Sequence, residues 1–317
     1  MQTVISERPS VWRRRSNPAL SKVINHWQVY LMLVPGLIIL LYFRYLPLVY
    51  QFIVAFKEYN LFDGLLKSPW VGWANFRTLF DNPEFPHVVL NTIEISLLRL
   101  VVGFFPPIIV AILLYDISHD IFKRISQTIM YIPHFFSWVI MYGFTYAMLA
   151  PSSGFINNVL GLLHLQRIDF FMNDAAFRPI IILTGLWKEL GFSTILYMAA
   201  LSAVDPVLYE AALVDGAGPI QRLRYVTLPS IKPIMVFVLT ISLGFILEGG
   251  TEQIQMYIGP LTRDTGEVIG TWILRYGIQS FQFGLTSVAG MFQSLIGFGL
   301  VLLANWFSTR YAEVGII

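Results

Sequence analysis

EAALVDGAGPIQRLRYVTLP, from Glu210 to Pro229, is a polar stretch punctuated by glycine and proline and set between two apolar runs. Glu210, Ala211 and Ala212 favour a helix, and an acid in a first turn suits the positive end of the helix dipole. Gly216, Gly218 and Pro219 then break it. The expectation is a short surface helix, a turn, and a second short helix ending before Pro229. Small residues at Ala211, Ala212, Gly216, Ala217 and Gly218 leave backbone accessible, so the pair can act as a knob around which a partner groove closes. The competing reading is a plain amphipathic connection lying on a membrane surface.

The surroundings of this stretch define the class. Of 317 residues, 56% are hydrophobic and 13% charged, against about 25% charged in a soluble domain. The mean hydropathy is +0.65. A bilayer core of about 30 Å takes about 20 apolar residues in helical form. Six stretches meet that requirement, at 28–54, 90–115, 128–150, 180–203, 233–249 and 288–307, the fifth being short and interrupted by glycine. The fold class expected is an all-α membrane protein of six transmembrane helices, with the 204–232 loop between the fourth and fifth. Residues 1–27 form a basic amino-terminal segment, 28–310 the membrane domain and 311–317 a tail.

Lysine and arginine close to a span resist translocation. Arg8, Arg13, Arg14, Arg15 and Lys22 precede the first span, Lys123 and Arg124 follow the second, Arg222, Arg224 and Lys232 follow the fourth, and Arg310 follows the sixth. These segments share one side, so both termini and the 204–232 loop are expected in the cytoplasm. Long loops near 55–89, 151–179 and 250–287 are then expected outside. Tyr30, Tyr42, Tyr45, Trp138 and Trp306 near span ends read as interfacial anchors. Pro35, Pro47, Pro106, Pro107 and Pro133 lie in or beside spans, where proline kinks a helix. A net charge of +2 gives no argument for nucleic acid, and the lack of cysteine removes disulfides and thiol chemistry.

Glu210-Ala211-Ala212, Gly216 three residues on, then Val226, Leu228 and Pro229 resemble the EAA loop of permeases in binding-protein-dependent ATP-binding-cassette importers; Val226 stands where isoleucine is usual. Asp215-Gly216-Ala217 is similar to the carbohydrate branch of that family. So are the segments Tyr30 to Asn60, Trp70 to Phe76, Asn91 to Leu98, Gln127 to Val139 and Trp187 to Ala217. The resemblance implies a type I importer-like fold in the bacterial cytoplasmic (inner) membrane that works by alternating access. It implies that Glu210, Ala211, Ala212, Asp215, Gly216, Ala217 and Gly218 form a coupling helix and turn against an ATPase, with Leu228 and Pro229 completing the motif. The partners implied are a second homologous permease subunit, two ATP-binding-cassette subunits, an extracytoplasmic solute-binding protein and membrane lipid. The branch imports oligosaccharides, in some members acidic polymers such as alginate or pectin fragments, and an alginate-type cargo is the expectation. No Gly-x-x-x-x-Gly-Lys-Ser/Thr run occurs, so ATP and Mg²⁺ belong to the partner subunits and this chain is expected to bind no cofactor or metal.

Charges at membrane depth cost several kcal/mol and usually face a cavity or a partner. Arg99, in the second span, and Lys188 with Glu189, in the fourth, are candidates for the substrate path. Arg44 and Glu94 sit near outer ends, where they can snorkel. Adjacent helical residues point about 100° apart, so Lys188 and Glu189 do not both face one cavity squarely. Trp187, Tyr197, Trp272, Tyr276 and Arg275 are candidates for stacking on sugar faces or pairing with acidic groups. At Glu248, Gly249 and Gly250 the chain either breaks to expose backbone to a cavity or simply ends a helix. Other readings stay open: a permease for an amino acid, phosphate or metal chelate, a membrane-embedded enzyme, or a channel. An enzyme needs a catalytic cluster, but His26, His87, His119, His134 and His164 are dispersed, and neither a His-Glu-x-x-His run nor a Gly-x-Ser-x-Gly elbow occurs. His134 beside Pro133 reads as structural.

Overall fold

The computed structural model describes residues 26–312; the amino-terminal arginine cluster, Lys22 and the last five residues lie outside the described residues. Regular structure in the described residues is helical, apart from one isolated bridge between Lys57 and Trp70. The longer helices are α1 (Trp27–Ala55), α2 (Ala74–Asp81), α3 (Glu84–Tyr115), α4 (Asp120–Tyr131), α5 (Trp138–Leu149), α6 (Phe155–Leu162), α7 (Asp174–Ser202), α8 (Pro206–Val214), α9 (Pro219–Gly244), α10 (Thr251–Tyr257), α11 (Ile269–Leu274) and α12 (Phe283–Ala312). Of these, α1, α3, α7, α9 and α12 are long and apolar enough to cross a membrane, and α5 is a shorter apolar helix. The described residues divide into two units, one up to Ile53 and one from Val54 on. The described part of the first is the bulk of α1, apolar on every face.

In the second unit α3 and α7 run parallel, Glu94 beside Arg178 near their starts and Ala111 clustered with Leu201 near their ends. At 32 residues, α3 is about 48 Å long at 1.5 Å per residue. α9 and α12 pair along a groove that brings Gly244 against Gly297 and Val301. One core gathers Ile108, Ala111 and Leu114 of α3, Tyr197 and Leu201 of α7 and Ile231 of α9. A second gathers Leu79, Phe85, Val88, Ile269, Trp272 and Leu285 at the opposite end of the bundle.

The third span, expected as one helix over 128–150, is broken. α4 ends at Tyr131, a 3₁₀ turn covers Ile132–Phe135, and α5 starts after Ser137, whose hydroxyl accepts from the Ile140 amide. Pro133 has no amide hydrogen to continue the ladder. The break leaves a carbonyl at His134, and the Lys188 ammonium of α7 donates to it at 2.5 Å. Gly191 allows this approach: a Cβ there would sit 2.0 Å from the Met130 carbonyl oxygen.

Proline also shapes α1 and α9. In each a π turn, Leu41–Tyr45 or Leu223–Thr227, stands just before a proline, and the amide before that proline bonds five residues back, Leu46 to Leu41 and Leu228 to Leu223. The wide turn admits the ring without ending the helix. The helix expected to stop before Pro229 therefore continues to Gly244, and the fifth span is longer than the 233–249 stretch suggested. The 250–287 segment, expected as an external loop, is mostly short helices with Gln253, Ile254, Val268, Ile269 and Trp272 buried. Its apolar residues pack under α3 and α7, which composition alone does not report.

Gly191→Ala is expected to destabilise the protein by about 1–3 kcal/mol through overpacking, whereas Gly103→Ala, with open space around its Cβ position, should be neutral. Thermal melting of the two variants in detergent checks this, and equal melting temperatures would refute the close packing of α4 on α7.

Candidate functional site

The 204–232 segment folds as a knob. Asp205 caps α8, its carboxylate accepting from the Val207 amide at 2.9 Å, and Pro206 fills the first helical position. Glu210 is therefore in the second turn of α8, not the first, and is exposed. The helix ends on Gly216, whose φ of +75° is left-handed. Around it the Gly216 amide donates to Leu213 and the Ala217 amide to the Ala212 carbonyl at 2.9 Å, the pairing that closes a helix on a glycine. The Gln221 side chain accepts from the Gly218 amide, starting α9 at Pro219. Tyr209 and Thr227 share a hydroxyl contact at 3.1 Å, which ties α8 to the π turn of α9. Apolar side chains project outward: Val207, Leu213, Val214, Ile220 and Tyr225 are exposed. A cleft of about 600 Å³ between this knob and the end of α3 is lined by Asp116, Tyr209, Ile220 and Arg222, among others. Leu228 is half-buried and Pro229 exposed at the base.

A groove at membrane depth runs between α3 and α7. Arg99, Val102, Gly103 and Pro107 form one wall and Gly185, Glu189 and Ser193 part of the other, around about 100 Å³. Pro106 and Pro107 withhold the amides that the Val102 and Gly103 carbonyls would otherwise meet, which adds acceptors to this groove. The Arg99 guanidinium donates to Gln253 of α10 at 2.8 Å. Gln253, fully buried, donates to the Ile181 carbonyl and the Thr184 hydroxyl, both at 2.8 Å. The guanidinium fits because Gly185 and Gly250 have no side chains; a Cβ on Gly250 would lie 1.7 Å from Arg99 Nη1. Lys188 turns inward to the His134 carbonyl, whereas Glu189 stays on the groove and accepts from His134 Nδ1 at 2.8 Å. His134 stacks on Phe192 at 3.9 Å. Nearer the start of both helices Arg178 pairs with Glu94 at 2.6 Å and with Asn91 at 3.0 Å.

The structure thus brings Arg99 and Glu189 together on the groove, turns Lys188 inward to the His134 carbonyl, and takes the other candidates elsewhere. Trp187 is exposed on another face of α7, and Tyr197 lies in the core with Ile108 and Ile231. Trp272 is buried in the far core. Tyr276 lies on the Trp272 ring at 4.3 Å, and with Arg275 it forms a polar cluster at the edge of that core: Arg275 bonds Glu267 at 2.6 and 2.7 Å and Glu84 at 2.7 Å, and the Tyr276 hydroxyl donates to Glu84. The bonds to Glu267, with Glu84 adding to them against desolvation, hold the Arg275 guanidinium above its ordinary range. Glu248 is exposed beside a groove of about 370 Å³ between α9 and α12, and both Gly249 and Gly250 are left-handed, so the chain breaks there between a 3₁₀ turn at Ile246–Glu248 and α10. His134 and Gln253 were not candidates: His134 reads as structural beside a proline, and a glutamine in an apparent loop carries no signal. Among the described residues no group of three or more His, Asp or Glu side chains is placed to hold a metal.

Residues 103–313 match the family described as binding-protein-dependent transport system inner membrane component. The polygalacturonan/rhamnogalacturonan transport system permease protein YteP of Bacillus subtilis (strain 168) is 37% identical, with all of both chains covered. Protein LplB of the same organism is 35% identical over 91% of this chain and 90% of its own. A solved bacterial alginate ABC transporter, in complex with an alginate pentasaccharide-bound periplasmic protein, contains a chain 37% identical with a TM-score of 0.86, covering 93% of this chain and 99% of that one. A helical membrane fold, the protruding loop and a match across two thirds of the sequence agree: the chain belongs to the binding-protein-dependent transport system inner membrane components and is a permease subunit of an ABC importer.

Proposed function

We propose that this subunit carries an oligosaccharide, in particular an acidic one, along the α3–α7 groove, and that the knob at Glu210 to Gly218 transmits the work of separate ATPase subunits. The observation that carries the reading is the groove. Arg99 and Glu189 on the groove at membrane depth cannot face hydrocarbon cheaply, so this side of the bundle turns to a polar path or to a sister permease. The Arg99 guanidinium has no carboxylate bonded to it and keeps donors beyond the one given to Gln253, which suits a carboxylate-bearing cargo. The names of the relatives support this: one transports polygalacturonan, and another solved relative imports the acidic polysaccharide alginate.

The knob supports the coupling role. Its backbone is closed on itself by the Gly216 turn, and its outward side chains are apolar, as a helix seated in a protein groove requires. On this reading the knob end and both termini lie in the cytoplasm, a solute-binding protein docks at the opposite end, and a homologous permease with two ATPase subunits completes the assembly. The chain binds no cofactor of its own, ATP and Mg²⁺ being held by the ATPases. Alternating access then opens the groove to each side in turn.

Glu210→Arg, on an exposed position of α8, should leave insertion intact and lower ATP-driven uptake by at least about tenfold, equal to about 1.4 kcal/mol. Uptake at the normal rate with the ATPase still bound would sink the docking assignment. In proteoliposomes holding the complete importer, acidic oligosaccharides should be taken up in preference to neutral ones, and Arg99→Gln should reduce acidic uptake more than neutral uptake. Preference for neutral cargo would discard the acidic reading and keep the carbohydrate one.

A further inference from the structure

Among the described residues four helical segments stop on a residue with left-handed φ: α8 on Gly216 at +75°, the Ile246–Glu248 turn on Gly249 at 60°, α6 on His164 at 57°, and the Arg275–Gln279 turn on Phe281 at 55°. Glycine enters this region freely and histidine with some regularity, but a bulky aromatic does so at a cost. Nothing in the backbone asks for phenylalanine. The stop closes with the Ser280 amide donating to Arg275 and the Gln282 amide to Tyr276 at 2.9 Å, bonds that a glycine at 281 would preserve. Burial does not compensate either, because Phe281 is 63% exposed. Strain of this kind persists where the side chain itself is needed.

Phe281 stands at the edge of a cleft of about 590 Å³, at the end of the bundle opposite the knob. Tyr59, Phe62 and Phe283 also line it. Phe62 is 98% exposed, and Phe283 makes an edge contact with Tyr59 at 5.7 Å. Asn60 and Gln282 also line it. Asn60 accepts from the Phe62 amide with its oxygen, which leaves both of its N–H groups for a ligand. The volume falls within the range of small-molecule sites, and ring faces with a few amides are the lining such sites use.

Charge narrows the ligand. Lys57, the one cation lining the cleft, is buried and turned away, donating to the Leu65 and Ser68 carbonyls and lying under the Trp70 ring at 4.8 Å. Glu58 is exposed on the lining, so the cleft repels carboxylates and phosphates. Exposed ring faces against C–H surfaces, amides for hydroxyls and an acidic rim fit uncharged pyranose rings. We propose that this cleft is a second carbohydrate site, holding neutral pyranose units of an oligosaccharide outside the membrane, with Phe281 as its stacking residue. The inference rests on reading this end as the extracytoplasmic one.

The test uses the full chain assembled with its partner subunits in lipid nanodiscs, without a solute-binding protein, and measures binding of maltotriose and of trigalacturonate by equilibrium dialysis. Maltotriose should bind saturably and more tightly than trigalacturonate. Phe281→Gly should raise the melting temperature, since it removes the backbone strain, and weaken maltotriose binding by about tenfold. A merely structural Phe281 predicts a lower melting temperature and unchanged binding, and that result overturns the proposal. So does the absence of saturable maltotriose binding, or tighter binding of trigalacturonate. Saturable binding lost on Phe281→Gly upholds the cleft even if ATP-driven uptake of every sugar fails, an outcome that counts against the transport reading alone.

Discussion

A carbonyl inside a bilayer has to find a donor within the protein, because no water is there to supply one. At Pro133 this chain leaves one open, and Lys188 closes it. Much of the middle of the bundle is arranged around that bond. Lys188 can reach His134 because Gly191 lets the end of α4 lie against α7. Glu189, the next residue round the helix, takes the His134 ring, and Phe192 stacks on it. One stretch of α7, from Lys188 to Phe192, thus holds a broken span by its backbone, its imidazole and its ring face. An ammonium, with several donors on a flexible stem, is suited to such a site. A leucine at 188 would fill the space and leave the carbonyl unpaired.

The same constraint acts at Arg99 with different means. The guanidinium meets a neutral amide, Gln253, and two glycines, so its charge is held in place without being cancelled by a directly bonded carboxylate. Glu189 shares the groove but is bonded to His134. Charge held in place with no carboxylate bonded to it differs from the Arg275 cluster, where Glu84 and Glu267 both bond the guanidinium. On the proposed reading the first arrangement is what an anionic cargo meets; the second fastens the start of α3 to the segment after α11.

What could be read from the sequence follows how far each signal reaches along the chain. The apolar runs of α1, α3, α7, α9 and α12 and the Gly216 turn depend on neighbours within a few residues, and they were legible. The break at Pro133 was only half legible: proline announced a kink, but the donor that satisfies the opened His134 carbonyl is Lys188, 54 residues on from it. Pro229 misled in the other direction, since a π turn absorbed it. Arg99 stood out as a charge within an apolar run, while its partner Gln253 lies 154 residues on, in a stretch that looks like an outer loop. Tyr197 and Trp272 were candidates because aromatic rings suit sugars, yet rings also fill cores, and residue type does not separate the two uses.

The knob and the groove are joined by one continuous piece of structure. α7 carries Lys188 and Glu189 and passes through Asp205 directly into α8, while Tyr209 links α8 to Thr227 at the base of α9. Tyr197 and Leu201 of α7 pack on Ile231 of α9 in one core with α3. A push on α8 therefore has two rigid exits, and both lead towards helices that border the groove. The place where it can be absorbed is the π turn at Leu223–Thr227, whose wider hydrogen-bonded rings sit between the knob and the long part of α9. Proline at 229 keeps that turn from relaxing into a regular helix, so the requirement that shapes the base of the knob also sets how stiffly it is joined to the span behind it.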